Sequence, residues 1–239
     1  MRFIDLTLPA PAENLACDEA LLNMCEDGFE EEVLRFWEPR QYFVVLGYSN
    51  RIAREVQLSF CTQHGIPVLR RYSGGGTVAQ GPGCLNYTLI LRLQKSDPLH
   101  TIRGTNTYVL QRHKEVLESI MGASVEIQGH SDLTLRGLKF SGNAQRRRDR
   151  CLLFQGTFLT GFDISFVQQA LLLPSAQPTY RRNRSHKDFL TNLEVPGHKL
   201  KEAIRRAWNA TELLEEMPLG EIVRLTNHRY LSRDWIFRL

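Results

Sequence analysis

The sequence predicts an α+β protein in which a mixed or antiparallel central sheet is flanked by helices. Three observations support this fold class. A glycine-rich segment over residues 70–87 is bracketed by short apolar runs typical of strands. Residues 102–121 carry apolar side chains at helical spacing, and Gly122 follows where such a helix would end. The mostly apolar run 151–159 is typical of a buried strand.

The other elements are predicted in chain order from the same patterns. We expect a strand at 3–8, a helix beginning near Glu13 and Asn14, and strands at 33–37 and 42–47 that form a hairpin or lie side by side. A helix over 50–63, two strands within 131–145, and helices from 163, at about 198–211 and at 219–226 follow. No repeat or linker separates them. We therefore expect one domain over residues 1–239, with about 195–239 as its helical C-terminal extension.

The composition is that of an ordinary globular protein. Of the 239 residues, 42% are apolar and 23% are charged, which argues against disordered and fibrous classes. No window approaches the roughly 20 apolar residues of a membrane helix, and the N-terminus has no secretory signal. We therefore expect a cytoplasmic protein without a membrane partner. The net charge of +4 suits anionic substrates or an acidic partner protein.

The cysteines carry no recognisable pairing pattern. None of the five lies in a C-x-x-C motif, which argues against a zinc site and against a disulfide framework. We expect them to be small buried hydrophobic residues. They are Cys17, Cys25, Cys61, Cys84 and Cys151.

The glycine-rich segment is a candidate anion-binding loop. Gly74, Gly75 and Gly76 lack side chains, so backbone N–H groups can approach an anion closely. Arg70 and Arg71 add guanidinium groups, which match phosphate or carboxylate well. The segment is not a standard phosphate loop, because Pro82 stands where a lysine would be needed and no helical pattern follows.

Lys139 is the candidate catalytic residue. It lies near the end of a predicted strand that leads into Ser141-Gly142-Asn143. If this strand end and the glycine-rich loop face the same side of the sheet, the ammonium group of Lys139 lies close to the loop. An arbitrary lysine is usually exposed, so the assignment depends on this context.

Two sequence blocks together resemble the lipoate-protein ligase A family. The first is Arg-Arg-x-Ser-Gly-Gly-Gly-Thr-Val followed by Gly-Pro-Gly-x-Leu-Asn-Tyr, and the second is Gly-x-Lys-x-Ser-Gly-Asn-Ala-Gln-Arg-Arg-Arg over 137–148. Weaker matches extend over almost the whole chain, for example at 14–22, 34–37 and 184–192. The resemblance implies the catalytic-domain fold that this family shares with biotin-protein ligases and octanoyltransferases, here without the C-terminal accessory domain of longer ligases.

The resemblance also implies a reaction. Ligases of this family use ATP to convert lipoic acid into lipoyl-AMP, and a lysine of a carrier protein then attacks the carbonyl carbon. Mg²⁺ is expected with the nucleotide rather than in a cage built by the protein. The implied carriers are lipoyl domains such as the glycine cleavage H protein and the E2 component of 2-oxoacid dehydrogenases, and a separate accessory subunit is a further implied partner.

Site residues follow from the matching motif positions. Lys139 matches the lysine that contacts the acyl carbonyl and the phosphate, and the acyl tail is expected in an apolar slot between sheet and helix. The substrate- and nucleotide-binding set implied by the resemblance is Arg70, Ser73, Gly74, Gly75, Gly76, Thr77, Asn86, Asp132, Asn143, Gln155 and Thr157. Gln155 stands where many ligases carry a histidine, and its amide can form hydrogen bonds but has no titratable proton.

Two other functions stay open at this point. Octanoyltransferases of the same fold move octanoyl from acyl carrier protein through a cysteine thioester, which requires an activated thiolate. The stretch 126–131, where such a cysteine is expected, contains none, and Cys84 and Cys151 lie among apolar residues. A nucleic-acid-binding role is suggested only by two groups of arginines, Arg146–Arg148 and Arg181-Arg182. We instead expect these arginines to favour the binding of acidic carriers and ATP. The acyl group, whether lipoate, octanoate or biotin, also stays open.

Overall fold

The structure is a computed structural model that describes residues 1–93, 98–174 and 176–239. Within these ranges, eight strands form a larger sheet and three strands form a smaller one. In chain order the strands are β1 (Arg2–Asp5), β2 (Val33–Trp37), β3 (Phe43–Leu46), β4 (Val68–Arg70), β5 (Val78–Gln80), β6 (Cys84–Arg92), β7 (Glu126–Gln128), β8 (Asp132–Leu135), β9 (Leu138–Arg147), β10 (Cys151–Leu159) and β11 (Glu212–Leu213).

The larger sheet has the order β11-β1-β2-β6-β10-β9-β8-β7, and the smaller sheet has the order β4-β3-β5. β1 runs parallel to β2 and β11, whereas β6 runs antiparallel to β2 and β10. The register places Thr157 opposite Asn86 and Gly156 opposite Asn143. This mixed sheet, with helices packed on it, confirms the predicted fold class.

β2 and β3 do not form the expected hairpin or neighbouring pair. β3 lies in the smaller sheet, parallel to β4 and antiparallel to β5. All four residues of β3 are buried, as in a central strand with a partner on each edge. The two strands that flank the glycine-rich loop supply these partners, so β3 joins the loop's own sheet.

The helices are α1 (Pro11–Glu26), α2 (Ile52–Glu55), α3 (Leu58–Gln63), α4 (Ile102–Met121), α5 (Ile164–Ala170), α6 (His186–Phe189), α7 (Gly197–Ala207), α8 (Leu219–Leu225) and α9 (Arg233–Ile236). α4 has the predicted bounds and ends at Gly122, whose φ of 62° favours glycine. The helix expected over 50–63 is instead α2 and α3, because Val56 is extended and bridges to Leu171. None of the helices in the described ranges is long and apolar enough to cross a membrane.

Alternating side chains of the central strands fill two hydrophobic layers. On one side, Ile90 and Leu153 join the layer that contains α1. On the other, Leu89 and Phe154 join the layer that contains α4 and α7. The sheet is therefore covered on both faces, which explains why β6 and β10 read as nearly continuous apolar runs.

Two cysteines depart from the sequence-based expectation. Cys25 at the end of α1 and Cys151 at the start of β10 form a disulfide across 126 residues. Folding brings the two ends together because α1 packs on β10, a contact that the spacing of cysteines in the sequence does not reveal. Cys17, Cys61 and Cys84 are free and buried, as expected.

The C-terminal elements pack onto the N-terminal helix. α8 and the π-helical turn Thr226–Tyr230 contact α1. Tyr230 donates a hydrogen bond to the buried carboxylate of Glu19 at 2.8 Å, and Arg229 forms an ion pair with the same carboxylate. The C-terminal elements thus pack on α1, and the assignment of about 195–239 as an extension of the preceding domain stays a prediction.

Candidate active site

A cavity of about 470 Å³ lies where the glycine-rich loop faces strands β9 and β10. This volume is typical of sites for small organic molecules. Gly75 and Gly76 of the loop, Lys139 of β9 and Thr157 of β10 all line it. The structure therefore brings together the two sequence blocks that are separated by the long helix α4.

Arg71 organises the glycine-rich loop from behind. Its side chain is buried, and Nη2 donates to the carbonyl oxygens of Gly74 and Gly76, the second at 2.8 Å. Nε donates to Oγ of Ser73 at 3.1 Å. Burial lowers the pKa of Arg71 to about 10, so the guanidinium stays charged at neutral pH and adds a positive potential behind the loop.

Arg70, which we predicted to be a binding residue, lies outside the cavity lining. Its fully buried side chain points away from the cavity and donates to backbone carbonyls, at 2.9 Å to Gly47, 2.8 Å to Asn50 and 2.8 Å to Ile236. Residues 70 and 71 point in different directions at the end of β4. Arg71, rather than Arg70, therefore lines the cavity.

The loop needs glycine at its centre. Gly75 has a φ of 84°, a conformation that other residues rarely adopt. A Cβ atom at this position would lie 2.9 Å from Nη2 of Arg71 and 3.4 Å from Cβ of Ala144 on β9. The loop backbone thus lies close to β9, and its tip at Gly75 and Gly76 is exposed beside the cavity.

Lys139 forms an ion pair at the cavity wall. Its Nζ atom lies 2.7 Å from Oδ1 of Asp132 on β8, and the lysine side chain remains 25% exposed. The lysine lies across Gly142, where a Cβ atom would be 2.7 Å from Nζ. Because Gly142 has no side chain, the ammonium group of Lys139 can occupy this position at the cavity wall. Tyr180 donates to the other carboxylate oxygen of Asp132 at 2.7 Å.

Asn143 is held by its neighbours on both sides of its amide. Its Oδ1 atom accepts a hydrogen bond from the Tyr87 hydroxyl, and Nδ2 donates to the carbonyl oxygen of Ser131 at 2.7 Å. The Ser131 hydroxyl in turn donates a hydrogen bond to the Asn143 carbonyl oxygen, also at 2.7 Å. Asn143 lines the cavity and also fixes the loop that precedes Asp132.

A closed polar network occupies the cavity wall between β5, β6 and β10. Gln80 donates to the Thr157 hydroxyl at 2.8 Å, Thr157 donates to Asn86, and Asn86 donates to Gln80 at 3.0 Å. Each side chain thereby has a fixed orientation. Gln155 lies on the same wall two residues before Thr157.

The rest of the cavity includes an apolar region beside α1. Leu15 of α1, Trp37 of β2, Val45 of β3 and Val78 of β5 line it. This region lies between a helix and the two sheets, where we expected the slot for an acyl tail. A carbon chain placed there would lose its contact with water, which favours binding by about 0.8 kcal/mol per buried methylene.

Most of the predicted residues meet at this cavity. Those that line it are Gly75, Gly76, Thr77, Asn86, Asp132, Lys139, Asn143, Gln155 and Thr157, whereas Arg70, Ser73 and Gly74 do not. The set implied by the resemblance omitted two lining residues, Arg71 and Gln80, although Arg71 had been named as a cation of the loop. It also omitted Tyr180, which contacts Asp132. Arg71 and Gln80 lie within or beside the first block, so their position was a usable signal. The contact of Tyr180 with Asp132 spans 48 residues and has no local signature.

The free thiols are poorly placed for chemistry. Burial raises the pKa values of Cys17 and Cys84 to about 12, which disfavours the nucleophilic thiolate. Cys61 is also buried. Among the described residues that line the cavity there is no cysteine.

An α+β fold with a lysine, a glycine-rich loop and an apolar region around one cavity defines a protein that can hold an acyl group next to an anionic group. The family model of the lipoyl protein ligase A/B catalytic domain matches residues 10–209. The chain therefore belongs to this family.

Curated relatives carry two activities. Lipoate-protein ligase 1 of Staphylococcus aureus is 27% identical over 248 residues, covering 98% of this chain and 73% of that protein. Octanoyltransferase LipM of Carboxydothermus hydrogenoformans is 28% identical over 268 residues, covering 99% and 98%. The chain is thus an enzyme of this family, and either activity is compatible with these identities.

Solved structures agree on the fold. A structure from Thermoplasma acidophilum, described as a bi-partite lipoate protein ligase and its E2 lipoyl domain, superposes with a TM-score of 0.84 at 21% identity, covering 99% of this chain and 95% of that one. A lipoate-protein ligase A bound with ATP superposes with a TM-score of 0.79 at 23% identity, covering 99% and 98%. These likenesses support the same α+β catalytic-domain fold.

Proposed function

We propose that this protein is an ATP-dependent lipoate-protein ligase that forms lipoyl-AMP and transfers the lipoyl group to a lysine of a lipoyl-carrier domain. The observation that carries the proposal is the cavity itself. It places Lys139 and the exposed glycine-rich loop next to an apolar region, and no cysteine lines it among the described residues.

In the first step, a carboxylate oxygen of lipoate attacks the α-phosphorus of ATP, and pyrophosphate leaves with the bonding electrons. Negative charge increases on the α-phosphate oxygens during this step. Lys139 and the N–H groups of Gly75 and Gly76 are suited to stabilise it, because preorganised donors act most strongly where charge develops. Arg71 assists by fixing the loop carbonyls behind Gly75.

In the second step, the neutral amine of the carrier lysine attacks the acyl carbon. A new C–N bond forms, the bond between the acyl carbon and the phosphate oxygen breaks with its electrons on AMP, and the nitrogen passes one proton to solvent. Lys139 is suited to donate to the carbonyl oxygen as it becomes negative. The apolar region beside Leu15 and Trp37 would hold the carbon chain, so that the reacting carbonyl lies at the polar end of the cavity.

Mg²⁺ fits this site only as a companion of the nucleotide. The carboxylates of Asp132, Asp18 and Glu55 line the cavity. Asp132 is bonded to Lys139 and Tyr180, and Asp18 is paired with Arg35. Within the described residues, no group of three His, Cys, Asp or Glu side chains could hold a metal. A magnesium ion bound to ATP would supply charge neutralisation on its phosphates.

Octanoyl transfer is the alternative function, and the full-length similarity to LipM favours its consideration. The thioester route needs a reactive thiolate at the site. The buried thiols of this chain do not offer one, so the ligase is the better supported proposal. The carrier is proposed to be a lipoyl domain, in line with the E2 lipoyl domain named in the Thermoplasma structure, and the bi-partite nature of that ligase keeps an accessory subunit in the proposal.

The test is the intact mass of a lipoyl domain after incubation with the protein, lipoate and Mg-ATP. A parallel reaction contains octanoyl-acyl carrier protein without ATP. Lys139→Ala is compared with Lys199→Ala, which removes an exposed lysine on α7. A lipoyl mass gain that requires ATP and is lost only in Lys139→Ala supports the ligase. A gain only from the octanoyl thioester, or none in either reaction with or without an added accessory subunit, overturns it.

A further inference from the structure

Tyr180 and Lys139 share one carboxylate. Nζ of Lys139 lies 2.7 Å from Oδ1 of Asp132, and the hydroxyl of Tyr180 donates to Oδ2 of the same side chain at 2.7 Å. Each oxygen of Asp132 thus has its own partner. Tyr180 comes from the connection between α5 and α6, far in sequence from the strands that carry the other two residues.

Because Tyr180 occupies one oxygen of Asp132, Lys139 contacts only the other oxygen, which leaves N–H donors of the ammonium group available. An ammonium group has three N–H donors, and contact with a single carboxylate oxygen uses one of them. Since Nζ has no further bonding partner among the described residues, the other two donors remain for groups in the cavity. If Oδ2 were vacant, Lys139 could approach both oxygens, and the ammonium would move towards Asp132 and away from the cavity.

Contacts of Tyr180 and of its neighbours in the chain hold the tyrosine in place. Its ring packs against Phe189 with centroids 5.2 Å apart. Arg184 donates to the Gly137 carbonyl oxygen at 3.2 Å, and the Thr191 N–H donates to the Lys139 carbonyl oxygen at 2.9 Å. The segment that carries Tyr180 is therefore fastened to the hairpin that carries Lys139.

Towards Asp132 the tyrosine acts as a hydrogen-bond donor at neutral pH. Burial raises the pKa of Tyr180, and the nearby carboxylate of Asp132 raises it further. The hydroxyl therefore keeps its proton. Asp132 accepts from both sides, which fixes the carboxylate in one orientation.

We propose that Tyr180 is a positioning residue that holds Asp132 so that Lys139 presents its free donors to the cavity. The inference rests on the proposed ligase function for its kinetic consequence. Its structural content, the orientation of Lys139, stands independently of that function.

The kinetic test uses Tyr180→Phe, which removes the hydroxyl and keeps the ring on Phe189. Adenylate formation is measured as the lipoate-dependent exchange of labelled pyrophosphate into ATP. We expect its kcat to fall about tenfold, with little change in the KM for lipoate. Tyr108→Phe is the matched control, because Tyr108 packs edge-on against Trp208 on another face. An unchanged kcat, or a loss expressed only in KM, overturns the proposal.

A second test does not depend on activity. Lys139 is labelled with trace acetic anhydride, and its acetylation is quantified by peptide mass spectrometry against Lys199 in the same molecule. Closer contact with both Asp132 oxygens would draw the Lys139 nitrogen away from the open cavity, so labelling of Lys139 should slow several-fold in Tyr180→Phe. Unchanged labelling overturns the inference. If the wild type shows no exchange while the labelling changes as expected, only the proposed function fails.

Discussion

Arg70 and Ile236 are bonded across 166 residues, with Nη2 of the arginine donating to the isoleucine carbonyl oxygen at 2.8 Å. The bond is supported in the opposite direction, because Nε1 of Trp235 donates to the Arg70 carbonyl oxygen at 2.8 Å. The last helix of the described chain thus holds the strand that enters the glycine-rich loop. Of the two adjacent arginines, Arg70 therefore holds the C-terminal helix, whereas Arg71 lines the cavity.

Replacement of Arg70 should therefore act on stability. In Arg70→Met, several buried carbonyl oxygens lose their donor, and we expect the free energy of unfolding to fall by about 3 kcal/mol or more. Urea denaturation measures this loss, with Arg40→Met as an exposed control. A variant that is as stable as the wild type but no longer binds ATP would instead show that Arg70 contacts the nucleotide directly.

The disulfide predicts a defined thiol count. The unfolded, unreduced protein should expose three reactive thiols, and reduction should raise the number to five. Because the bond closes a loop of more than 100 residues, its reduction should lower the free energy of unfolding by about 2–5 kcal/mol. A Cys25→Ser, Cys151→Ser double variant should be insensitive to reductant. Five reactive thiols before reduction would show that the bond does not form.

His113 makes stability depend on acid pH. This fully buried side chain accepts a hydrogen bond from Trp208 at its Nε2 atom, and burial, with a smaller contribution from Arg112, lowers its pKa from 6.5 to about 3. Between these values the unfolded chain binds a proton that the folded chain does not bind. The contribution of neutral His113 to the free energy of unfolding is therefore present in full above about pH 6.5. It is lost, at up to about 1.4 kcal/mol per pH unit, as the pH falls towards 3.

The variant His113→Gln isolates this contribution while keeping an acceptor for Trp208. Urea titrations at pH 4 to 7 should give a shallower dependence of stability on pH for His113→Gln than for the wild type. His64→Gln, which changes an exposed histidine, should keep the wild-type slope. Identical slopes for wild type and His113→Gln would assign the acid sensitivity to other groups.

Arg148 should favour binding of an acidic carrier. It is exposed at the end of β9 and lies over the ring of Tyr72, the residue that follows Arg71. In Arg148→Glu we expect the KM for the carrier to rise about three- to tenfold at low salt, with lipoyl-AMP formation unchanged. Arg103→Glu on α4 is the control with the same change of charge. Equal effects of the two substitutions, or an effect that persists at high salt, would contradict a local docking contact.

Local patterns were sufficient for much of the fold and of the site. The helical spacing over 102–121 gave the bounds of α4, and the glycine cluster located the loop, because both depend on neighbours within a few residues. The resemblance of two blocks named Lys139 and the loop residues, and a weaker match named Asp132. Of these, Lys139, Asp132, Gly75, Gly76 and Thr77 line one cavity. The strand pairing of β3 was not predictable in this way, since it depends on partners on both sides of the loop.

By itself, the sequence indicated the α+β class, the glycine-rich loop, the candidate lysine and the family, because local patterns along the chain and two short motif blocks carry these features. Only the tertiary structure decided which arginine faces the cavity, which cysteines pair, and that Tyr180 shares Asp132 with Lys139. Those features depend on side-chain direction at the end of a strand and on contacts between residues 48 to 166 positions apart. Local propensity carries no information about such contacts, since packing of distant segments creates them.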